Sequence, residues 1–255
     1  MSVLRVSGLS HRFGGLRAVS GFNLTLQQGE IVGLIGPNGA GKTTVFNLIT
    51  GVYRPAEGEI EFLGKSLVGR PSSDIVSMGV ARTFQTIRLF RDLSVLDNVR
   101  IGHFSQARYR IIDALLRTKR FRAEEDRIRE KAYSLLETFG LLQYASTVAR
   151  ALPYGEQRRL EIARALASNP QVLLLDEPAA GMNPAEVDRL IETIGWIRKE
   201  FNLTILLIEH QMRVVMRICE RILVLDFGET IAEGTPEEIQ SNPRVLEAYL
   251  GKEAS

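Results

Sequence analysis

The feature that most limits how this chain can fold is an apolar run that breaks into glycines. Ile31-Val32-Gly33-Leu34-Ile35 is followed at once by Gly36-Pro37-Asn38-Gly39-Ala40-Gly41-Lys42-Thr43, and then by Thr44-Val45-Phe46-Asn47-Leu48-Ile49. A short, unalternating apolar run of this kind suits a parallel strand buried on both faces. The segment after the glycines has helical spacing and stops at Gly51. Strand, glycine loop and helix in this order predict an α/β core. The spacing G-x-x-x-x-G-K-[ST] makes a nest of backbone N–H groups at a helix N-terminus, which draws in phosphate. Glycines let the backbone close around the anion, Lys42 is placed to reach β and γ phosphates, and the Thr43 hydroxyl is placed to ligate Mg²⁺. The expected ligand is a nucleoside triphosphate held by Gly36, Pro37, Asn38, Gly39, Ala40, Gly41, Lys42, Thr43 and Thr44.

A second chemical feature lies at the end of another apolar run, Val172-Leu173-Leu174-Leu175-Asp176-Glu177. An acidic pair there puts Asp176 near the metal and lets Glu177 orient or deprotonate an attacking water. Many strands end in Asp or Glu, so the pair gains its meaning from the glycine loop. His210 follows a third apolar run, Thr204–Ile208, where ligands bind in open α/β sheets, and is a candidate for contact with the γ-phosphate. Gln85, in Arg82-Thr83-Phe84-Gln85, offers a neutral ligand to Mg²⁺ or to water.

The rest of the chain sets the frame for these residues. Residues 1–70 read as strands with tight turns, Gly58–Phe62 among them. The middle, about 88–165, is mainly helical, with a helix over Ala123–Phe139. Its basic portion (Arg108, Arg110, Arg117, Lys119, Arg120, Arg122) reads as a solvated face, with contact to a partner or lipid headgroups as the sharper alternative. From residue 170 the α/β alternation resumes: strands at 172–175 and 204–208 flank a helix at 185–200. A hairpin then turns near Gly228, and a short helix around Val245–Leu250 follows Pro243. The expected architecture is an α/β core with a helical insertion.

Composition narrows the setting. The 255 residues carry 32 Lys+Arg against 30 Asp+Glu, a net charge of +2 that does not argue for nucleic acid as an obligatory partner. With one cysteine, Cys219, an internal disulfide is ruled out and a reducing compartment is expected; the thiol lies in an apolar run and reads as packing. The N-terminus has no signal pattern, and no apolar stretch approaches the ~20 residues of a membrane span. A cytoplasmic protein able to dock onto a membrane protein is the expectation.

Taken together, Gly36–Thr44, Gln85, Leu152–Arg164, Asp176-Glu177 and His210 resemble the ATPase subunit of an ABC transporter, over essentially the whole chain. The most family-specific stretch is Leu152-Pro153-Tyr154-Gly155-Glu156-Gln157-Arg158 onward to Leu166, which falls on the family's signature motif and following helix. The resemblance implies a P-loop NTPase core: a mainly parallel sheet, an N-terminal antiparallel part and an inserted helical subdomain at about 88–165, all within one domain. It further implies that Phe13 stacks on adenine and that Gln85 joins the nucleotide site to the helical subdomain. Gly155 and Glu156 would face the γ-phosphate of ATP on a second subunit. Two positions depart from the family's pattern. Pro153-Tyr154 stands where Ser-Gly is usual, which removes a hydroxyl, and Asn183 stands where aspartate is usual, which removes a charge.

Finer details carry the resemblance further: Arg82–Gln85 with Ile87-Arg88-Leu89-Phe90, the Leu152–Gly155 variant, Glu177–Pro184, and the ending from Gly234-Thr235-Pro236 to Tyr249-Leu250-Gly251. They are similar to the branched-chain amino acid importers of bacteria, in particular to the longer of that system's two ATPases, with extra residues at about 105–125. That implies ATP and Mg²⁺ as cofactors and a place on the inner face of the cell membrane. The implied partners are a shorter ATPase paralogue (or a second copy), two permeases and, indirectly, a periplasmic binding protein. ATPases serving urea or short-amide uptake, or lipid export, share most of these features. A P-loop kinase or GTPase would lack Leu152–Leu166. A non-transport relative would carry coiled-coil insertions or two fused cassettes.

Overall fold

The run Ile31–Ile35 is a strand buried at every residue, with hydrogen-bonded strands on both sides. The structure, a computed structural model, describes residues 1–107 and 109–250; Arg108 of the basic portion and Gly251 of the C-terminal ending lie outside the described residues. Two long strands, β1 (Ser2–Phe13) and β2 (Leu16–Gln27), form a hairpin, and β3 (Ile31–Ile35) leads through the glycine loop into α1 (Lys42–Ile49). β4 (Glu57–Phe62), β5 (Lys65–Ser66), α2 (Ser72–Met78) and β6 (Val80–Arg82) follow. A helical run comes next: α3 (Val95–His103), α4 (Ile111–Leu115), α5 (Lys119–Thr138) and α6 (Tyr154–Leu166). Alternation returns with β7 (Val172–Asp176), α7 (Pro184–Glu200), β8 (Thr204–Ile208) and α8 (Met212–Ile218). The described chain closes with β9 (Arg221–Asp226), β10 (Glu229–Gly234), α9 (Pro236–Gln240) and α10 (Pro243–Leu250).

The main sheet has the order β10-β9-β3-β8-β7-β6, parallel except for β10 at one edge. A second, antiparallel sheet has the order β2-β1-β4-β5. Period-2 alternation on the central strands splits the core in two. Ile31, Ile35, Leu173, Leu175, Ile205 and Leu207 pack with α3, α5, α6 and α7 on one face. Val32, Leu34, Leu174, Leu206 and Ile208 pack with α1 and the antiparallel sheet on the other. Each such side chain contributes about 1.5–3 kcal/mol on full burial, which is why a strand apolar at every position fits only between two layers.

Helix boundaries follow local chemistry. The Thr118 hydroxyl accepts the Phe121 N–H, so α5 starts at Lys119, a turn before the Ala123 expected from spacing. Lys119, Arg120 and Arg122 therefore sit on helix rather than in a loop. Asn183 and Glu186 form a reciprocal cap, with Pro184 in the first turn of α7. The short helices α2, α4, α8 and α9 were not legible from periodicity.

Candidate functional site

The loop that leaves β3 is shaped by backbone proximity. Gly36 (φ 148°), Gly39 (φ 82°) and Gly41 (φ 104°) all adopt conformations that side chains disfavour. A Cβ at Gly36 would lie 2.0 Å from the Leu225 carbonyl oxygen, and one at Gly41 would lie 2.3 Å from that of Ala18. The loop is thus wedged between β9 and β2, and glycine is the residue that fits. No side chain caps the start of α1, which leaves that helix end to a ligand. The Lys42 ammonium donates to the Gly36 and Pro37 carbonyls at 2.7 and 2.9 Å, lying back along its own loop. Thr43 is exposed in the first turn of α1, and Thr44 is half-buried beside it.

Sheet order brings the other candidates to the same edge. Ile208 of β8 pairs with Leu34 on one side and Asp176 on the other, so β8 alone separates the phosphate loop from the acidic pair. Strands lie about 4.8 Å apart, which places the loop and Asp176 roughly 10 Å from each other. Asp176 is nearly buried, and its Oδ2 accepts a charge-assisted hydrogen bond from Arg82 at 2.7 Å. Arg82 also donates to Asn47 Oδ1 at 2.7 Å and lies over the Phe46 and Phe84 rings. One guanidinium therefore ties β6 and β7 to α1. Arg82 was not among the sequence candidates, because its partners lie 35 and 94 residues away.

Glu177 takes a left-handed backbone conformation (φ 45°) as the chain leaves β7, and its N–H donates to the Ile208 carbonyl at 2.9 Å. Strained backbone of this sort persists where the surroundings hold it. The Glu177 Oε2 accepts a hydrogen bond from Gln85 Nε2 at 2.6 Å and has His210 Nδ1 at 3.5 Å. Gln85, Glu177 and His210 leave the ends of three adjacent strands, β6, β7 and β8, and meet at one carboxylate oxygen.

Behind them lies a carboxylate that sequence reading passed over. Glu209 is fully buried and accepts three backbone N–H bonds: from Ala179 at 2.8 Å, His210 at 3.1 Å and Gln211 at 3.3 Å. Gln211 answers with an amide bond to the Ala179 carbonyl at 3.0 Å. Burial pushes the Glu209 pKa above the usual carboxylate range, and the three N–H groups oppose that rise. Glu209 thereby fastens the loop after Glu177 to the loop bearing His210. An acid between an apolar strand and a histidine was the available signal. Cys219 matches its packing role, since burial pushes its thiol up to about 12.

The remaining candidates lie around this centre. Gly155 and Glu156 begin α6, which enters through Pro153 without a side-chain cap. Here the Tyr154 hydroxyl donates to the Ala180 carbonyl at 2.9 Å, so α6 starts against the loop after Glu177 and not against the phosphate loop. Glu156 pairs with Arg159. One turn on, the fully buried Arg158 donates to the carbonyls of Phe84 (2.7 Å) and Gln85 (2.9 Å) and to Glu161 (2.8 Å). Glu161 in turn accepts the Arg88 N–H at 3.1 Å. Phe13 is an exposed ring at the end of β1, edge-on to His11 (4.7 Å between centroids) and Tyr53 (5.2 Å). Asn183 uses its side chain to cap α7.

The description "ABC transporter" fits a family model over residues 19–180, which covers the phosphate loop, Gln85, the start of α6 and the acidic pair. The chain belongs to the ABC transporter family. As a member it is an ATP-binding, ATP-hydrolysing subunit, and its α/β P-loop fold is the one expected. The ABC transporter relatives include the high-affinity branched-chain amino acid transport ATP-binding protein LivG of Escherichia coli (strain K12), 50% identical over 98% of each chain. The corresponding protein BraF of Pseudomonas aeruginosa is 46% identical, again over 98% of each chain. The lipopolysaccharide export system ATP-binding protein LptB of Haemophilus influenzae is 36% identical over 99% of each. A crystal structure of an ABC transporter's ATP-binding cassette in its ADP conformation superposes with a TM-score of 0.85 at 31% identity, over 98% of this chain and 99% of that one. A second family model, described as a branched-chain amino acid ATP-binding cassette transporter, matches residues 229–255.

Proposed function

We propose that this chain hydrolyses ATP to drive uptake of branched-chain amino acids through membrane permeases, with Glu177 activating the attacking water. The convergence of Gln85 and His210 on Glu177 Oε2 carries the assignment. A carboxylate fixed by two neighbours at the end of a parallel strand is positioned to orient water and accept its proton. His210, half exposed beside it, reaches toward the γ-phosphate, and Lys42 moves from its loop carbonyls onto the β and γ phosphates. Phe13 offers a free ring face to adenine, with His11 and Tyr53 holding it at the hairpin's end.

Mg²⁺ suits the donor set. One carboxylate (Asp176), one hydroxyl (Thr43) and one amide oxygen (Gln85) are hard ligands that leave room for water and phosphate oxygens. The bound ion supplies neutralisation of the phosphate charge. Arg82 holds Asp176 in place for that role.

Partners follow from the same reading. Gly155, Glu156 and the N-terminus of α6 would meet ATP on a facing subunit, a shorter paralogue or a second copy. The α6–Arg158–Gln85–Glu177 chain of contacts would carry motion of the 88–165 helical subdomain to the site. Two permeases and, through them, a periplasmic binding protein complete the importer. Among the described residues no helix is long and apolar enough to cross a membrane. Branched-chain substrates are favoured over lipid export by the higher identity to LivG and BraF than to LptB, and by the C-terminal family match.

Glu177→Gln tests the mechanism. ATP affinity should hold while turnover falls by at least about a hundred-fold, the usual range for a lost general base. Turnover within a few-fold of wild type would remove Glu177 from that role. Uptake of labelled leucine against labelled urea, in cells lacking the gene and complemented with it, tests the substrate.

A further inference from the structure

The segment between α3 and α5 exposes large apolar side chains together. Ile111 is 91% exposed, Ile112 55%, Leu115 77% and Leu116 67%. Positions i, i+1, i+4 and i+5 fall on one face of a helical turn, so the four form one patch on α4 and its C-cap. Apolar side chains scattered singly over a surface need no explanation, but four large ones gathered on a single turn do.

The surrounding charge says what covers them. Arg110, Arg117, Lys119, Arg120 and Arg122 are all exposed around the patch, and Asp113 is the single acid between residues 110 and 122, a local balance of +4. The Asp113 carboxylate accepts the Arg110 N–H at 3.0 Å and the Thr118 hydroxyl at 3.1 Å, which fixes the turn, and it faces the Arg120 and Arg110 charges, one acid against five cations. Further along α5, Glu125 is engaged by Arg100 and Tyr109, and Glu124 by Arg127. What the segment presents is an apolar crest ringed by cations.

We propose that α4 and its flanks dip into the headgroup region of an anionic bilayer, with Ile111, Ile112, Leu115 and Leu116 buried among the acyl chains and the basic residues on lipid phosphates. Amphipathic helices with this division of faces bind the membrane interface in this way. A permease surface fits less well: cytoplasmic loops of membrane proteins are themselves enriched in Lys and Arg, and would repel a face of the same sign. The contact would orient the ATPase beneath its transporter independently of the substrate carried.

Sedimentation of the purified full-length chain with vesicles tests this. Vesicles of phosphatidylcholine alone are compared with vesicles in which about a third of the lipid is phosphatidylglycerol, since each basic residue near an anionic surface strengthens binding by about five-fold. Wild type should bind the anionic vesicles at least about ten-fold more tightly, and added salt should weaken that binding. Ile111→Ser with Leu115→Ser, and separately Arg117→Glu with Lys119→Glu, should each reduce binding at least about ten-fold, with ATP affinity and circular dichroism unchanged. A fluorescence blue shift of Ile111→Trp on anionic vesicles would report insertion directly. Equal binding to both lipids, or binding untouched by either double variant, overturns the proposal. So does a patch that is protected by detergent-solubilised permease and silent toward vesicles. Loss of ATP binding in wild type would instead strike the nucleotide-site reading.

Discussion

Arg158 offers the sharpest test of how the site is wired. Its guanidinium is fully buried and joins α6 to the backbone of Phe84 and Gln85, with Glu161 as its ionic partner. Arg158→Met keeps most of the side chain's reach and deletes the charge. Glu161 is then left almost wholly buried, keeping the Arg88 N–H bond and the charge of nearby Arg164, and two carbonyls lose their donors. Removing one member of a buried pair costs about 3–5 kcal/mol, so the single variant should lose about 4 kcal/mol. Adding Glu161→Leu removes the stranded carboxylate, leaving mainly the orphaned carbonyls at about 1 kcal/mol each, and should restore about 2 kcal/mol. Urea unfolding followed by circular dichroism reads both values. Steady-state ATPase and nucleotide titration should show kcat falling well beyond any change in ATP affinity, because Gln85 loses its anchor. Arg158→Lys, able to serve one carbonyl at a time, should fall between. A single variant within about 1 kcal/mol of wild type, or a double variant less stable than the single, would refute the reasoning.

Other expectations follow from the same geometry. Lys42→Ala should lower ATP affinity at least ten-fold in equilibrium titration, with a loss of about 1–2 kcal/mol of fold stability from the Gly36 and Pro37 carbonyls that lose its ammonium. Glu209→Gln keeps one acceptor oxygen where the carboxylate offered two, which strands a buried N–H at a cost of about 1–3 kcal/mol. It should also depress turnover, by loosening His210 against Ala179; unchanged unfolding and unchanged turnover together would dismiss it as a positioning residue. His103, lowered from 6.5 to about 4 by burial and by nearby Lys131 and Arg127, favours its neutral form when folded. Stability from this group is fully present above about pH 6.5 and drains away as pH falls toward 4, by about 2–3 kcal/mol in all. His103→Gln should flatten the dependence of the urea midpoint on pH across that window, and an unchanged slope would reject it.

The features legible in the sequence share one property: they are local. β3, β7 and β8 announced themselves as unbroken apolar runs because both faces are buried, and the phosphate loop did so because its glycines are needed where backbones collide. Asp176, Glu177 and His210 were found as strand ends. What escaped was pairing across the chain. Arg82 reads as an ordinary basic residue until Asp176 arrives 94 positions later, and Arg158 until Gln85 lies beneath it 73 positions earlier. Glu209 looks like any strand-end acid, since the partner that gives it a role, the Ala179 N–H, lies on another loop 30 positions away. Periodicity was also weakest where the chain bends: pairing of β1 with β2 carries several register shifts, and α4 spans barely more than a turn.

The posture of Lys42 bears on how the protein discriminates among anions. With at least two of its three protons already on the Gly36 and Pro37 carbonyls, the ammonium is no idle charge waiting in an open bowl. Any arriving anion must out-compete two short, nearly buried bonds and leave two carbonyls to find other company. An anion that also meets the uncapped N-terminus of α1 gains the loop amides in return. A polyphosphate tail can touch the loop amides and the lysine together. The resting bonds of Lys42 thus set a threshold that a phosphate ligand must exceed before the lysine is given up.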